Sequence, residues 1–207
     1  MKKGSLSYRL IITFTLILVT TSVIIAGVLA IWFRNYYFDQ KKQQLNEEST
    51  IIESAAISYL TLDKSSNLDT LKSVMNFVGK NINAEILVTD NLGYTYAVSN
   101  SKYEDYKFSN LGRPKEDMDI LKQGKSIEYS NLKNSAKNDY VYLKPIFNKK
   151  YFSGVIVMLV PINSMLEPII KVNEVIAVTT LLVIIVGSIA LYLYSRKFFI
   201  KPLNEIT

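Results

Sequence analysis

Neither cysteine nor histidine occurs among the 207 residues. Without cysteine there is no disulfide framework and no thiolate-bound metal. Without either residue no transition-metal site is credible. A glycine-rich nucleotide-binding motif is also absent, so these residues cannot by themselves carry out phosphoryl transfer. No basic stripe marks a folded face, which sets nucleic acid aside as a partner.

Two long uncharged runs are what the sequence has in place of these. Residues 10–33 are 24 in a row without a charge, and residues 175–194 are 20. A helix rising about 1.5 Å per residue needs ~20 residues to cross a hydrocarbon core about 30 Å thick. The first run is longer than a secretory signal, and Trp32 and Phe33 follow its small-residue stretch from Ala26 to Ala30, so it reads as an uncleaved anchor. Charge decides orientation. Lys2, Lys3 and Arg9 precede the first run, and Arg196, Lys197 and Lys201 follow the second, opposed by Glu205 alone. Residues 34–174 hold eighteen basic and seventeen acidic side chains. Short basic flanks stay in the cytoplasm. The expected layout is a cytoplasmic N-terminus (1–9), a transmembrane helix (10–33), an extracytoplasmic domain (34–174), a second transmembrane helix (175–195) and a cytoplasmic end (196–207), a multi-pass protein of the cell membrane. Trp32, Tyr36 and Tyr37, and on the other run Tyr192 and Tyr194, suit interfacial belts. Ser22, Ala26 and Ala30 recur every four residues and suit close helix packing in lipid, in keeping with a homodimer.

The outer segment begins as a helix. Residues 34–62 lack glycine and proline, and Phe38, Leu45, Ile52 and Tyr59 recur every seven residues beside Ala56. That stripe predicts a stalk packed on the domain or on a second subunit. After a polar break at 63–67 a second helix is expected over 68–81. The period then changes to that of strands at 85–89 and 94–99, joined by the turn Asp90-Asn91-Leu92-Gly93. A short helix is expected over 115–123, ended by Gly124. Strands follow at 126–129, 140–147 and 152–160, the last apolar on both faces as a central strand is. Pro161 closes it, and a helix over 163–174 leads into the second run, with Pro168 kinking it or starting it afresh. The fold class is α+β, one antiparallel five-stranded sheet with helices on a face and a long N-terminal helix.

The hairpin ILVTDNLGYTYAVS, the segment YLKPIF and the segment FSGVIVMLVPI resemble the extracytoplasmic PAS-like domains, also called PDC or single Cache domains, of bacterial receptors. SRKFFIKPLNEIT resembles the opening of a HAMP domain, with Pro202, Leu203 and Ile206 on its Pro-Leu-x-x-Ile motif. The resemblance implies a ligand pocket beneath the loop 100–114. It also implies the sensor half of a two-component histidine kinase, since receptors of this layout are mostly such kinases. A chemoreceptor-type receptor, or a membrane-anchored extracellular binding or adaptor protein, is the alternative. The chain would be a piece of a longer kinase, or else a naturally shortened receptor without output. ATP, magnesium and a cognate response regulator would belong to the cytoplasmic part, and this chain is expected to hold no cofactor or metal.

For the ligand, a small molecule or peptide, the candidate residues are Tyr94, Tyr96, Arg113, Tyr140, Tyr142 and Lys144. In a strand Tyr140, Tyr142 and Lys144 share a face opposite Val141 and Leu143. An arginine or lysine amid aromatics suits a carboxylate or amide. Half-buried sheet tyrosines and solvated bases are the plainer explanation. Glu104, Asp105, Glu116, Asp117 and Asp119, interleaved with lysines, read as a solvated acidic face. Pro161, Pro168 and Pro202 are the expected relay points from sheet to membrane to cytoplasm.

Overall fold

The first uncharged run does not end in a turn. In the computed structural model, which describes residues 6–61, 64–110, 114–129 and 139–195, it opens a single 56-residue helix, α1 (Leu6–Thr61). With no glycine or proline after Gly27, nothing in its second half interrupts the hydrogen-bond ladder. Thr13, Thr20 and Thr21 donate their hydroxyls to carbonyls four residues back, which satisfies them inside the helix.

Helix α2 (Lys64–Ile82) starts four residues before the sequence places it, because its polar first turn is compatible with a helix start. Strands β1 (Glu85–Asp90) and β2 (Thr95–Val98) form the expected hairpin. Its turn is held by the Asp90 carboxylate, which accepts the Leu92 and Tyr94 amides at 2.9 and 2.8 Å. Gly93 takes φ +87°, and a Cβ there would come within 2.9 Å of the Phe108 Cβ. Two 3-10 turns, Ser101–Tyr103 and Phe108–Asn110, precede α3 (Pro114–Lys122). Three more strands follow, β3 (Ile127–Tyr129), β4 (Asp139–Asn148) and β5 (Tyr151–Pro161). Helix α4 (Ile162–Ser195) then runs through Pro168 without a fresh start.

The chain divides into two compact units, residues 38–167, and residues up to 37 together with those from 168 onward. In the first unit the sheet runs β2-β1-β5-β4-β3 with every pair antiparallel. Strand β5 is central, as its two apolar faces require, and its residues feed a core on each side. Leu45, Ile52 and Ala56 of α1 are fully buried with Ile86, Ile156, Met158 and Val160, so the seven-residue stripe packs on the chain's own sheet. The opposite face buries Leu87, Val141, Leu143, Val155, Val157 and Leu159 with Phe108 and Leu121.

In the second unit Leu18 of α1 meets Gly187 of α4, where a Cβ would lie 3.0 Å from the leucine methyls. Ser22, Ala26 and Ala30 lie, like Leu18, among the less exposed positions of α1. Both helices are long and apolar enough to cross a membrane.

Candidate ligand-binding site

Strand β4 carries three of the residues singled out above, and alternation sends them to one face. Tyr142 is 2% exposed, and its hydroxyl donates to the Asn46 amide oxygen at 3.1 Å. The Lys144 ammonium donates to Thr50 Oγ1 at 2.7 Å and lies 3.3 Å from the Glu53 carboxylate. The Tyr140 hydroxyl donates to Glu128 at 2.8 Å, and the other Glu128 oxygen pairs with Lys42 at 2.8 Å. Four residues of helix advance about 6 Å, and two residues of strand advance about 6.8 Å. Lys42, Asn46 and Thr50 therefore keep step along α1 with Tyr140, Tyr142 and Lys144. These polar ends tie the sheet to α1. Burial, and then the bond to Glu128, pushes the Tyr140 phenol above its ordinary value.

The remaining candidates lie elsewhere. Tyr96 stacks on Tyr59 of α1 with centroids 5.1 Å apart, and its buried hydroxyl has no hydrogen-bond partner among the described residues. Tyr94 falls outside β2, which begins one residue later, because a bulge shifts the register after Val88. It forms an isolated bridge to Lys107, is 54% exposed, and carries the Lys107 ammonium 5.4 Å from its ring centre. Arg113 and Pro202 lie outside the described residues. Tyr140, Tyr142 and Lys144 are thus brought together, with Tyr96 packed against the same core, and Tyr94 stands apart.

The other face of the sheet holds the arrangement that the candidate residues missed. There the segment 101–110 and α3 cover the apolar face of β1, β4 and β5. Tyr103 and Tyr106 meet edge to face at 5.8 Å, and burial raises the Tyr106 phenol. The Thr95 hydroxyl donates to the Tyr106 carbonyl, and the Phe108 amide donates to the Gly93 carbonyl at 2.9 Å, which pins the cover at two points.

Asp117 of α3 lies among these groups with only 3% exposure. One carboxylate oxygen accepts the Tyr129 hydroxyl, and the other has no hydrogen-bond partner among the described residues. A buried acceptor without a donor is costly in an apolar setting, by about 1–3 kcal/mol. The sequence signal was present but weak. Asp117 and Leu121 are four apart and share a helix side with Met118, so Asp117 belongs to the inward stripe while Glu116 and Asp119 are exposed. An acidic face read from composition hid it. Among the described residues no cluster of carboxylates could hold a metal ion.

Neither a family model nor a curated protein sequence matches the chain. Solved structures do. The sensory domain of the Campylobacter jejuni chemoreceptor Tlp3 (CcmL), with isoleucine bound, superposes with a TM-score of 0.56 at 14% identity, over 75% of this chain and 66% of that one. A domain of a protein assigned to the sensory box/GGDEF family of Vibrio parahaemolyticus gives 0.58 at 15% identity, over 73% and 64%. The extracellular domain of a protein assigned as a histidine kinase, vpHK1S-Z8, gives 0.57 at 14% identity, over 73% and 61%. The chain therefore spans about two thirds of each of these solved chains. Its fold is the PAS-like fold of receptor sensory domains, an antiparallel five-stranded sheet with a long N-terminal helix.

Proposed function

We propose that this chain is the extracytoplasmic sensor and membrane portion of a receptor that binds a small molecule outside the cell and relays its presence inward. The observation that carries the reading is the path of the chain through β5. This strand pairs with β1 on one side and β4 on the other, and at Pro161 it passes into α4 with no loop between them. A ligand shifts a receptor only through unequal affinity for two states. Contacts that alter sheet packing would act on α4 directly. Pro161 and Pro168 lie along this path, and Pro202 would receive the motion at the cytoplasmic end.

The ligand site we assign is the apolar sheet face covered by the segment 101–110, with the open oxygen of Asp117 beside the Tyr129 hydroxyl as its polar anchor. That oxygen suits a ligand group that donates hydrogen bonds, an amine or amide above all. The Tyr140, Tyr142 and Lys144 group would then couple the sheet to α1. The topology proposed has both ends in the cytoplasm and a homodimer in the bilayer.

The output proposed is a histidine kinase acting on a response regulator, supported by the HAMP-like SRKFFIKPLNEIT after the second apolar run. A chemoreceptor output or an adaptor role is the second reading. The reading frame beyond Thr207 separates them. A helix bearing a phosphoacceptor histidine and a nucleotide-binding domain supports the kinase, and any other continuation replaces it.

Relay is tested in the receptor as its gene encodes it. Three glycines inserted after Asn173 should abolish the response of a transcriptional reporter while leaving ligand-induced thermal stabilisation unchanged. An undiminished response in that insertion variant would exclude rigid coupling through α4.

A further inference from the structure

A cleft of about 270 Å³ opens where the sheet ends and α4 begins, and Asp117 is not among its walls. Its walls are the last turns of α2 with Asn76 and Lys80, the α2–β1 connection with Asn83, the start of β1 with Glu85, and Pro161. A water molecule occupies about 30 Å³ of the liquid, so this space takes a solute the size of a free amino acid. It lies just under the ~300 Å³ at which pockets for larger ligands begin.

The way α2 ends builds this cleft. Asn83 takes the left-handed φ of 54°, and the Ala84 amide returns to the Gly79 carbonyl at 2.8 Å, a Schellman closure. Gly79 admits no side chain there, because a Cβ would lie 2.7 Å from the Ala84 carbonyl oxygen. The C-terminal end of α2 is thereby fixed at the cleft wall, and its Ile82 carbonyl accepts the Lys41 ammonium at 2.9 Å, which answers the partial negative charge there.

The Glu85 carboxylate is held beside it, accepting the Asn100 amide at 3.0 Å and the Ser99 hydroxyl at 3.3 Å. This carboxylate favours a cation. Lys80, also on the wall, is exposed and pairs with no carboxylate among the described residues. It offers an anion its partner. The side-chain amides of Asn76 and Asn83 supply donors and acceptors between these two poles.

We propose that this cleft binds a small zwitterion of free-amino-acid size, its ammonium toward Glu85 and its carboxylate toward Lys80. Pro161 is at once a wall of the cleft and the last residue of β5, so occupancy acts on the point where the chain leaves the sheet. Two sites that bias one exit helix are coupled by linkage, and each ligand then alters the affinity for the other.

The test uses the full chain carrying Asp117→Asn, which removes the anchor of the other site, in lipid nanodiscs with ligand-observed saturation-transfer NMR. The probes are glycine, L-serine, L-valine and L-glutamine, each with its amide, which keeps only the ammonium, and its N-acetyl form, which keeps only the carboxylate. At least one amino acid should show transfer, with both of its analogues at least tenfold weaker. Lys80→Gln and Glu85→Gln, each added to Asp117→Asn, should weaken that binding tenfold or more. Lys80 is exposed, so its variant retains the fold and keeps the result decisive. Absence of transfer from all four amino acids overturns the proposal, as do equal binding of an analogue or indifference to both cleft substitutions.

Discussion

At the scale of single residues, the sharpest constraint is a missing side chain. Gly154 opens the buried stretch of β5 opposite Asp90, and a Cβ built there would lie 2.0 Å from the Thr89 carbonyl oxygen. That contact is with backbone in a paired strand, so it cannot be relieved by a rotamer change. Gly154→Ala should lower the stability of the folded chain by about 1–3 kcal/mol, the range for overpacked interiors. Thermal unfolding of the detergent-solubilised protein measures it, and an unchanged midpoint would show that β1 and β5 separate readily. Asp117 shows why residue roles are harder to read than residue placement. Its inward direction follows from helical spacing, but its lack of a second partner among the described residues depends on Tyr129 and on which backbone groups fail to reach it. Those are long-range facts, and no local pattern encodes them.

Elements were the most legible level. The two uncharged runs, the stripe through Leu45, Ile52 and Ala56, and the doubly apolar β5 each follow from periodicity, and each forms the element expected. Boundaries were less so. The start of α2 and the exclusion of Tyr94 from β2 depend on a polar turn that tolerates helix and on a bulge fixed by the partner strand. What spacing left open was whether α1 turns its stripe to its own sheet, and the burial of Ile52 answers that for this chain. Ile52 is fully buried while its neighbour Ile51 is half exposed. Ile52→Ala should therefore cost about 2–5 kcal/mol and Ile51→Ala under about 0.5 kcal/mol in the same unfolding measurement. A similar loss from both would mean that Ile51 is covered by something else, as a second copy along α1 would do.

For the whole molecule, protonation at high pH gives a signature of the packing. Burial raises the phenols of Tyr96 and Tyr140, and the bond to Glu128 raises Tyr140 further. In the unfolded chain both ionise near pH 10. Above that pH the folded protein retains protons that the unfolded chain has released, so stability falls as pH rises. Lys41 acts in the opposite sense below its ordinary 10.5, since burial outweighs Glu48 and lowers it. Denaturant midpoints should thus drop between pH 10 and 11.5, and the double variant Tyr96→Phe, Tyr140→Phe should flatten the drop. An equally steep fall in that variant would place the titrating groups elsewhere.

Strand β5 wears Val155, Val157 and Leu159 on one side and Ile156, Met158 and Val160 on the other. A slip of one residue against β1 or β4 would exchange the two sets, emptying each cavity of the shapes that fit it. Only a slip of two residues, about 6.8 Å, restores the alternation. Under the proposed relay, smaller axial displacements of α4 would find no intermediate register in the ladder and would be carried by tilting or shifting the sheet as one plate.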